Sequence, residues 1–234
     1  MSRMSTQDDD PDIGARRLAA ESLAEDDPTG WFERLYAAAK DGDAVVPWDR
    51  GTAHPLLTEW AAGRDAIEGK GKRALVVGCG RGWDAELVAG LGYDTVAFDI
   101  SETAIEGTRR LHPGSTVHYL AADLLDPPAE WRGAFDLVVE IFTVQALPEA
   151  LQPAATAQVS AQVAPGGTLL VIAAVREEPV APVDGPPWPL TRSAVEAFGT
   201  GGLRLTQLER LPSPQADGNY RWRAEFVSLT RAPW

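Results

Sequence analysis

Residues 72–84 read Lys72-Arg73-Ala74-Leu75-Val76-Val77-Gly78-Cys79-Gly80-Arg81-Gly82-Trp83-Asp84: an apolar run, three alternating glycines, then a segment able to start a helix. An unbroken apolar run of this length suits a strand buried on both faces. Glycines placed just after it let the backbone turn sharply and approach a ligand without a Cβ in the way, while the helix start offers free N–H groups. Strand, loop and helix together imply a nucleotide-like cofactor. A dinucleotide fingerprint places its last glycine at the sixth position, where this chain has Trp83, so the pattern is G-x-G-x-G instead.

Downstream the same alternation continues. Apolar runs at Thr95–Phe98, Val117–Leu120, Phe135–Val139 and Thr168–Ile172 are separated by helical patterns at about Asp84–Leu91, Glu102–Leu111 and Pro153–Val163. Such alternation predicts a parallel sheet with helices on both faces. The end differs: a helix near Thr191–Phe198 precedes two alternating strands, Leu203–Leu211 and Arg221–Leu229, whose short connection makes them antiparallel. The expected fold is therefore α/β and Rossmann-like, with a mainly parallel sheet of seven strands and an antiparallel last strand. Upstream, Trp31, Phe32, Leu35, Tyr36 and Ala38 give a helical apolar face, and a second helix is expected from His54-Pro55 to Ile67. These form an N-terminal helical cover. Residues 1–28 lack a sustained apolar stripe and are expected to be a flexible, at most weakly helical, acidic tail; 29–234 form a single domain. A tail placed just before the cover could also act as a lid.

Composition narrows the function. The 234 residues carry 21 basic against 34 acidic side chains, a net charge of −13, which repels phosphate backbones and anionic lipid. Nucleic acid and membrane partners are not expected. One cysteine and three histidines leave no ligand cluster for structural zinc and no internal disulfide, which fits a reducing cytoplasm. No apolar run is long enough to span a bilayer, and the first ten residues lack a signal-peptide core. Composition does not address the oligomeric state.

Two acids extend the cofactor reading. Asp99 ends the second strand, where a carboxylate can accept both hydroxyls of a ribose. Asp123 ends the third and is followed by Leu124-Leu125, a polar acceptor beside apolar residues that suits an adenine ring. Three binding elements at the carboxyl ends of three successive strands fall where open α/β sheets collect ligands.

The motifs Val76-Val77-Gly78-Cys79-Gly80-Arg81-Gly82, Phe98-Asp99-Ile100-Ser101, Ala122-Asp123-Leu124-Leu125, Phe135-Asp136-Leu137-Val138 and Ala164-Pro165-Gly166-Gly167-Thr168-Leu169-Leu170 resemble those of class I S-adenosylmethionine-dependent methyltransferases. From about Trp31 onward, Pro47-Trp48-Asp49-Arg50-Gly51-Thr52-Ala53-His54-Pro55-Leu56, Asp99–Ile105 and Gly185-Pro186-Pro187-Trp188 are similar to the thiopurine, thiol and halide methyltransferase family. The resemblance implies S-adenosyl-L-methionine as cofactor, no metal, and methyl transfer by in-line displacement to a small molecule: a thiol or other chalcogen, a halide, or a natural-product heteroatom. The cofactor-binding set it implies is Trp48, Gly78, Cys79, Gly80, Gly82, Asp99, Ile100, Asp123, Leu124 and Glu140. Trp48 would lie against the cofactor, and Trp188, in the lid around Val180–Leu190, would help cover the acceptor. Trp31, Tyr36, Gln145 and Trp188 complete the expected acceptor pocket.

After the fourth strand the family shows an acid followed by Arg or an aromatic, whereas this chain reads Glu140-Ile141-Phe142. Ile141 cannot make the polar contact, so thiopurine or halide specificity is not carried over. Glu140 is the one catalytic candidate, either binding the cofactor's ammonium or deprotonating the acceptor. His54 reads as a helix cap before it reads as a base, Cys79 as a small packing residue, and Asp84 as a helix-start acid. Two other readings stay open at this point: a regulatory protein that binds the cofactor without turnover, and a nicotinamide oxidoreductase.

Overall fold

The computed structural model describes residues 12–64, 68–178, 185–215 and 217–229. Seven strands form one sheet: β1 (Arg73–Val77), β2 (Asp94–Asp99), β3 (His118–Ala121), β4 (Phe135–Ile141), β5 (Val163–Ala174), β6 (Leu203–Pro212) and β7 (Tyr220–Ser228). Their order is β3-β2-β1-β4-β5-β7-β6. β1 pairs in parallel with both β2 and β4, so the order reverses beside it, and this switch point opens a crevice at the strands' carboxyl ends. β7 runs antiparallel to both β5 and β6, as the short connection requires.

Helices cover both faces. One core gathers Phe98, Trp131, Phe135, Val159, Phe198 and Phe226, and the other gathers Leu57, Val88, Ile105, Leu137 and Leu170. The helices are α1 (Asp12–Ala24), α2 (Gly30–Asp41), α3 (Pro55–Ala61), α4 (Trp83–Gly90), α5 (Glu102–Leu111), α6 (Gln152–Ala161) and α7 (Arg192–Glu196). α3 is shorter than expected, and residues 65–67 at its expected end lie outside the described residues. β5 begins earlier than Thr168 because pairing with β4 occurs on both sides of Pro165-Gly166-Gly167, where Gly166 at φ +78° makes an irregularity and the register shifts.

The N-terminal segment departs from the expectation of a flexible tail. Residues 12–24 form a helix, with Ala15, Ala19 and Ser22 buried. Its face is built of small residues, so the hydrophobic stripe that sequence reading looks for is absent even though the helix packs closely. Ala15 and Ala19 join Trp31, Leu35, Tyr36 and Val46 in a third cluster that reaches Ala104 of α5. Glu33 of α2 ties the cover down, accepting from Ser101 Oγ at 2.6 Å and from the Thr103 N–H at 3.2 Å. Partial burial pushes the Glu33 carboxyl up, but hydrogen bonds from Ser101 and Thr103 outweigh it and hold the group below its ordinary range.

Candidate active site

The crevice is a cavity of about 440 Å³ bounded by the glycine loop, the ends of β2, β3 and β4, the 47–52 loop, α1 and α2. The loop is fixed to its neighbours before any ligand arrives. The Cys79 N–H donates to Phe98 O at 2.8 Å, and Thr108 Oγ1 donates to Gly80 O at 2.7 Å. Gly78 has φ +58°, and a Cβ there would stand 2.3 Å from Thr143 Oγ1. Gly82 faces the other way: with φ +81°, its missing Cβ would collide with Thr108 and Tyr119, each 2.6 Å away. Gly82 is thus a packing glycine and does not line the cavity, contrary to its expected place in the cofactor set.

Asp99 lines the cavity and is 6% exposed. Its Oδ2 accepts from the Gly80 N–H and its Oδ1 from the Ser101 N–H, each at 3.0 Å. A carboxylate offers about four lone-pair sites, so two remain for hydroxyl donors. Burial pushes its pKa up to about 6 despite those N–H contacts. Ile100, Asp123 and Leu124 also line this end, with Leu124 buried and Asp123 exposed, its Oδ1 accepting from the Leu125 N–H at 2.8 Å. Cys79 lines the wall, and burial pushes its thiol up, as befits a packing residue.

Trp48, Trp31 and Tyr36 meet over the loop. Trp48 Nε1 donates to Tyr36 Oη at 2.8 Å, and the Trp48 ring stands edge-on to Trp31 at 6.0 Å. Asp49 links this aromatic group to the glycine loop, accepting from Arg81 Nε at 3.2 Å and from Trp83 Nε1 at 3.1 Å. Gln145 lines the cavity, but its Oε1 is committed to the Ala174 N–H at 2.6 Å.

Two expected residues fall elsewhere. Glu140 is fully buried and is not a lining residue: Oε1 accepts from the N–H groups of Thr143 at 2.8 Å and Val144 at 2.9 Å. Its Oε2 has no partner among the described residues, and burial pushes the pKa up to about 7. The carboxylate therefore holds the turn after β4 and is not among the residues that line the cavity. Trp188 also leaves the lining: its ring packs against Gly185, whose Cβ would lie 2.3 Å from it, and Pro186 and Pro187 face the cavity instead. The first part of the expected lid, Val180–Asp184, lies outside the described residues.

His54 caps α3, accepting from the Leu56 N–H at Nδ1. Burial, reinforced by Arg50 and Arg221, pushes its pKa down to about 3, so the imidazole is neutral. Asp84 accepts the His54 N–H at 2.7 Å, a longer-range tie than the helix-start role expected of it. Sequence reading missed Arg50, Phe142, Thr143 and Arg221 as lining residues. Arg50 and Phe142 stand inside motifs already singled out, but nothing linear connects them with Arg221.

The donor set fits S-adenosylmethionine. Gly78 leaves bare backbone at the loop, the Asp99 carboxyl lines the cavity, and Ile100 with Leu124 supplies an apolar wall beside the polar Asp123. Among the described residues no group of three His, Cys, Asp or Glu could hold a metal ion, and no helix is long and apolar enough to cross a membrane. A family model described as thiopurine S-methyltransferase matches residues 38–225, most of the chain.

The chain belongs to the thiopurine S-methyltransferase family.

Relatives agree with that membership. The chain is 28% identical over 197 residues to thiocyanate methyltransferase 1 of Brassica oleracea, covering 82% of each protein. It is 27% identical over 191 residues to probable thiol methyltransferase 2 of Arabidopsis thaliana, covering 78% of this chain and 76% of the relative. Among solved structures, a Burkholderia thailandensis 1,6-didemethyltoxoflavin-N1-methyltransferase with bound S-adenosylhomocysteine superposes with a TM-score of 0.65 at 18% identity, over 97% of this chain and 98% of that one. That likeness shows the fold. The family member is an S-adenosylmethionine-dependent methyltransferase acting on a small molecule, and neither the oxidoreductase nor the binding-only reading finds support among these likenesses.

Proposed function

We propose that this enzyme methylates a small nucleophile that reaches the cavity already ionised: a thiolate or other chalcogen anion first, with a halide or an acidic natural-product heteroatom as further members of the class. The observation that carries this reading is the sealing of Glu140. Glu140, expected either to bind the cofactor's ammonium or to act as base, is buried behind the turn it holds, and the neutral His54 has its Nδ1 spent on a helix cap. Soft anionic nucleophiles need no base at neutral pH, so a cavity from which Glu140 and His54 are both withheld suits them. The thiol and thiocyanate names of the plant relatives support the same class.

When bound, S-adenosylmethionine supplies an electrophilic methyl group on a sulfonium. The chain's own residues bind, orient and exclude water. Asp99 accepts the ribose hydroxyls, Ile100, Asp123 and Leu124 hold the adenine, and the backbone at Gly78 and Gly80 supports the remainder. Trp48, held by Tyr36, shields the reacting end together with Trp31, Gln145 and the Pro186-Pro187 segment. Positioning of this kind lowers the barrier by holding the reactants at about 3–3.5 Å and keeping water out. Residues 29–234 are one catalytic domain, with α1 as its cover. The charge of −13 and the single cysteine support a cytoplasmic enzyme without nucleic-acid or membrane partners.

The test is incubation with labelled S-adenosylmethionine and a panel of thiols, thiocyanate, iodide and phenols of graded acidity. Methyl transfer is expected to follow the fraction of acceptor ionised at the assay pH. Efficient methylation of un-ionised phenols, undiminished in Glu140→Gln, would overturn the proposal.

A further inference from the structure

On the cavity wall, Arg50 and Arg221 approach the same ring. The Arg50 Cζ lies 5.4 Å and the Arg221 Cζ 5.7 Å from the centroid of Phe142, and all three residues line the cavity. Phe142 is held in place at some cost. Its φ of +63° is rare for a bulky residue, and the chain there is fixed by the Phe142 N–H donating to Ile172 O at 3.0 Å and by the Glu140 carboxylate two residues before.

The cations are poorly compensated. Arg50 makes no ion pair among the described residues: its partner is the amide oxygen of Gln215, 3.1 Å from Nε and 3.0 Å from Nη2 in the orientation that pairs both ends of that amide. Arg221 Nη1 donates to Tyr220 O at 3.0 Å and Nη2 reaches the Gln215 amide and Asp217 only at 3.4 Å, while its buried Nε has no acceptor among the described residues. The other carboxylate facing the pair, Asp84, spends Oδ1 on the His54 N–H at 2.7 Å and stands outside ion-pair range of Arg50. Burial pushes the Arg50 guanidinium below its ordinary range, with Asp84 opposing that shift and Arg221 adding to it. Two half-buried guanidinium groups repel one another, and an anion between them would convert that repulsion into attraction.

We propose that Arg50 and Arg221, which both approach Phe142 at the cavity wall, form a subsite for a carboxylate group of a bound ligand. Their planar forks offer bidentate donors of the spacing a carboxylate accepts. The carboxylate has two possible carriers, the amino-acid end of the cofactor or the acceptor itself. The inference rests on the methyltransferase reading for what occupies the cavity, and on the arginine geometry alone for the charge it must carry.

Isothermal titration separates the sources. In the wild type, S-adenosylhomocysteine is compared with its methyl ester, and benzoate is compared with benzyl alcohol on enzyme saturated with S-adenosylhomocysteine. A cofactor carboxylate predicts at least about tenfold weaker binding of the ester, the scale of a lost charged hydrogen bond. An acceptor carboxylate predicts equal binding of acid and ester, with benzoate favoured over benzyl alcohol by a similar factor. In either case Arg50→Gln and Arg221→Gln should erase the difference, and Arg50→Lys should restore part of it. Equal affinities in both wild-type comparisons would overturn the subsite. Failure of the wild type to bind S-adenosylhomocysteine at all would instead overturn the cofactor reading.

Discussion

Thr143 occupies the space that a side chain on Gly78 would need, its Oγ1 2.3 Å and its Cγ2 2.6 Å from the position of the absent Cβ. The same hydroxyl donates to Val77 O at 3.0 Å, so the turn after β4 is packed directly on the glycine loop. Gly78→Ala must therefore overcome both a left-handed backbone and a collision with a fixed residue. Together these should cost about 2–4 kcal/mol, which for a chain of this size lowers Tm by roughly 5–15 °C. Thr143→Ala in the same chain should recover part of the loss. Additive losses in the double-mutant cycle would show that the two residues are not in contact.

Asp99→Asn should weaken S-adenosylhomocysteine binding at least about tenfold. Both carboxylate oxygens face backbone N–H donors, so an amide places its NH₂ against one of them. Because the pKa is pushed up to about 6, ligand hydroxyls that favour the ionised form should make affinity rise as pH increases from about 5 to 7. Titration calorimetry across that range checks both statements. A flat profile in the wild type would remove Asp99 from the ribose site.

Glu140 makes stability depend on pH in a sense that can be worked out. Its folded pKa of about 7 lies above the ordinary 4.5, so the native state holds the proton more tightly than the unfolded chain. Stability is then full below pH ~4.5 and declines as pH rises toward ~7. Glu140→Gln retains an oxygen for the Thr143 and Val144 N–H groups, and it should flatten that decline in pH-resolved thermal melts. Glu140→Ala strands both donors and leaves a hole, at about 2–4 kcal/mol. An unchanged pH profile in the Gln variant would assign the titration to another group.

Tyr36→Phe removes the acceptor for Trp48 Nε1 without emptying the core. The indole loses one hydrogen bond, worth about 0.5–1.5 kcal/mol. The expected result is modestly weaker cofactor binding with a shifted tryptophan emission, whereas Trp48→Ala should weaken it far more. Equal effects from the two variants would mean that the hydroxyl, and not the indole, meets the ligand.

The number and succession of strands and the place of the cofactor loop were legible because they follow from apolar runs, glycines and connection lengths, which are local properties; the strand order was not among the expectations. Placing the glycine loop, Asp99 and Asp123 at the carboxyl ends of three successive strands put them on one side of the sheet, and the reversal beside β1 opens the crevice there. What was not legible depends on the direction each side chain takes. Gly78 and Gly82 look alike in the sequence, yet one supports the cavity loop and the other packs on Tyr119. Glu140 ends a strand that does open toward the crevice, but the turn after it folds back and claims the carboxylate. Trp188 was the conspicuous residue of its segment, while the neighbouring prolines took its place. α1 escaped notice because alanines and a serine, not large apolar groups, form its buried face. The arginine pair required residues 50 and 221 to be neighbours, which no spacing encodes.

Arg16 of α1 donates to the carbonyl of Pro186 at 3.3 Å, so a segment from the start of the chain and one from near its end are joined above the cavity. Asp12, Ala15, Pro186 and Pro187 line the cavity beside that junction, so the way out for product would widen on opening of the junction. The helix forming one half of it is held by small side chains that bury little apolar area, so it should detach at a lower free energy than the sheet beneath. Turnover would then be timed by this opening and not by the chemical step, with a burst of one methylated product per active site before the steady rate. Arg16→Ala should raise that steady rate while leaving the burst amplitude unchanged.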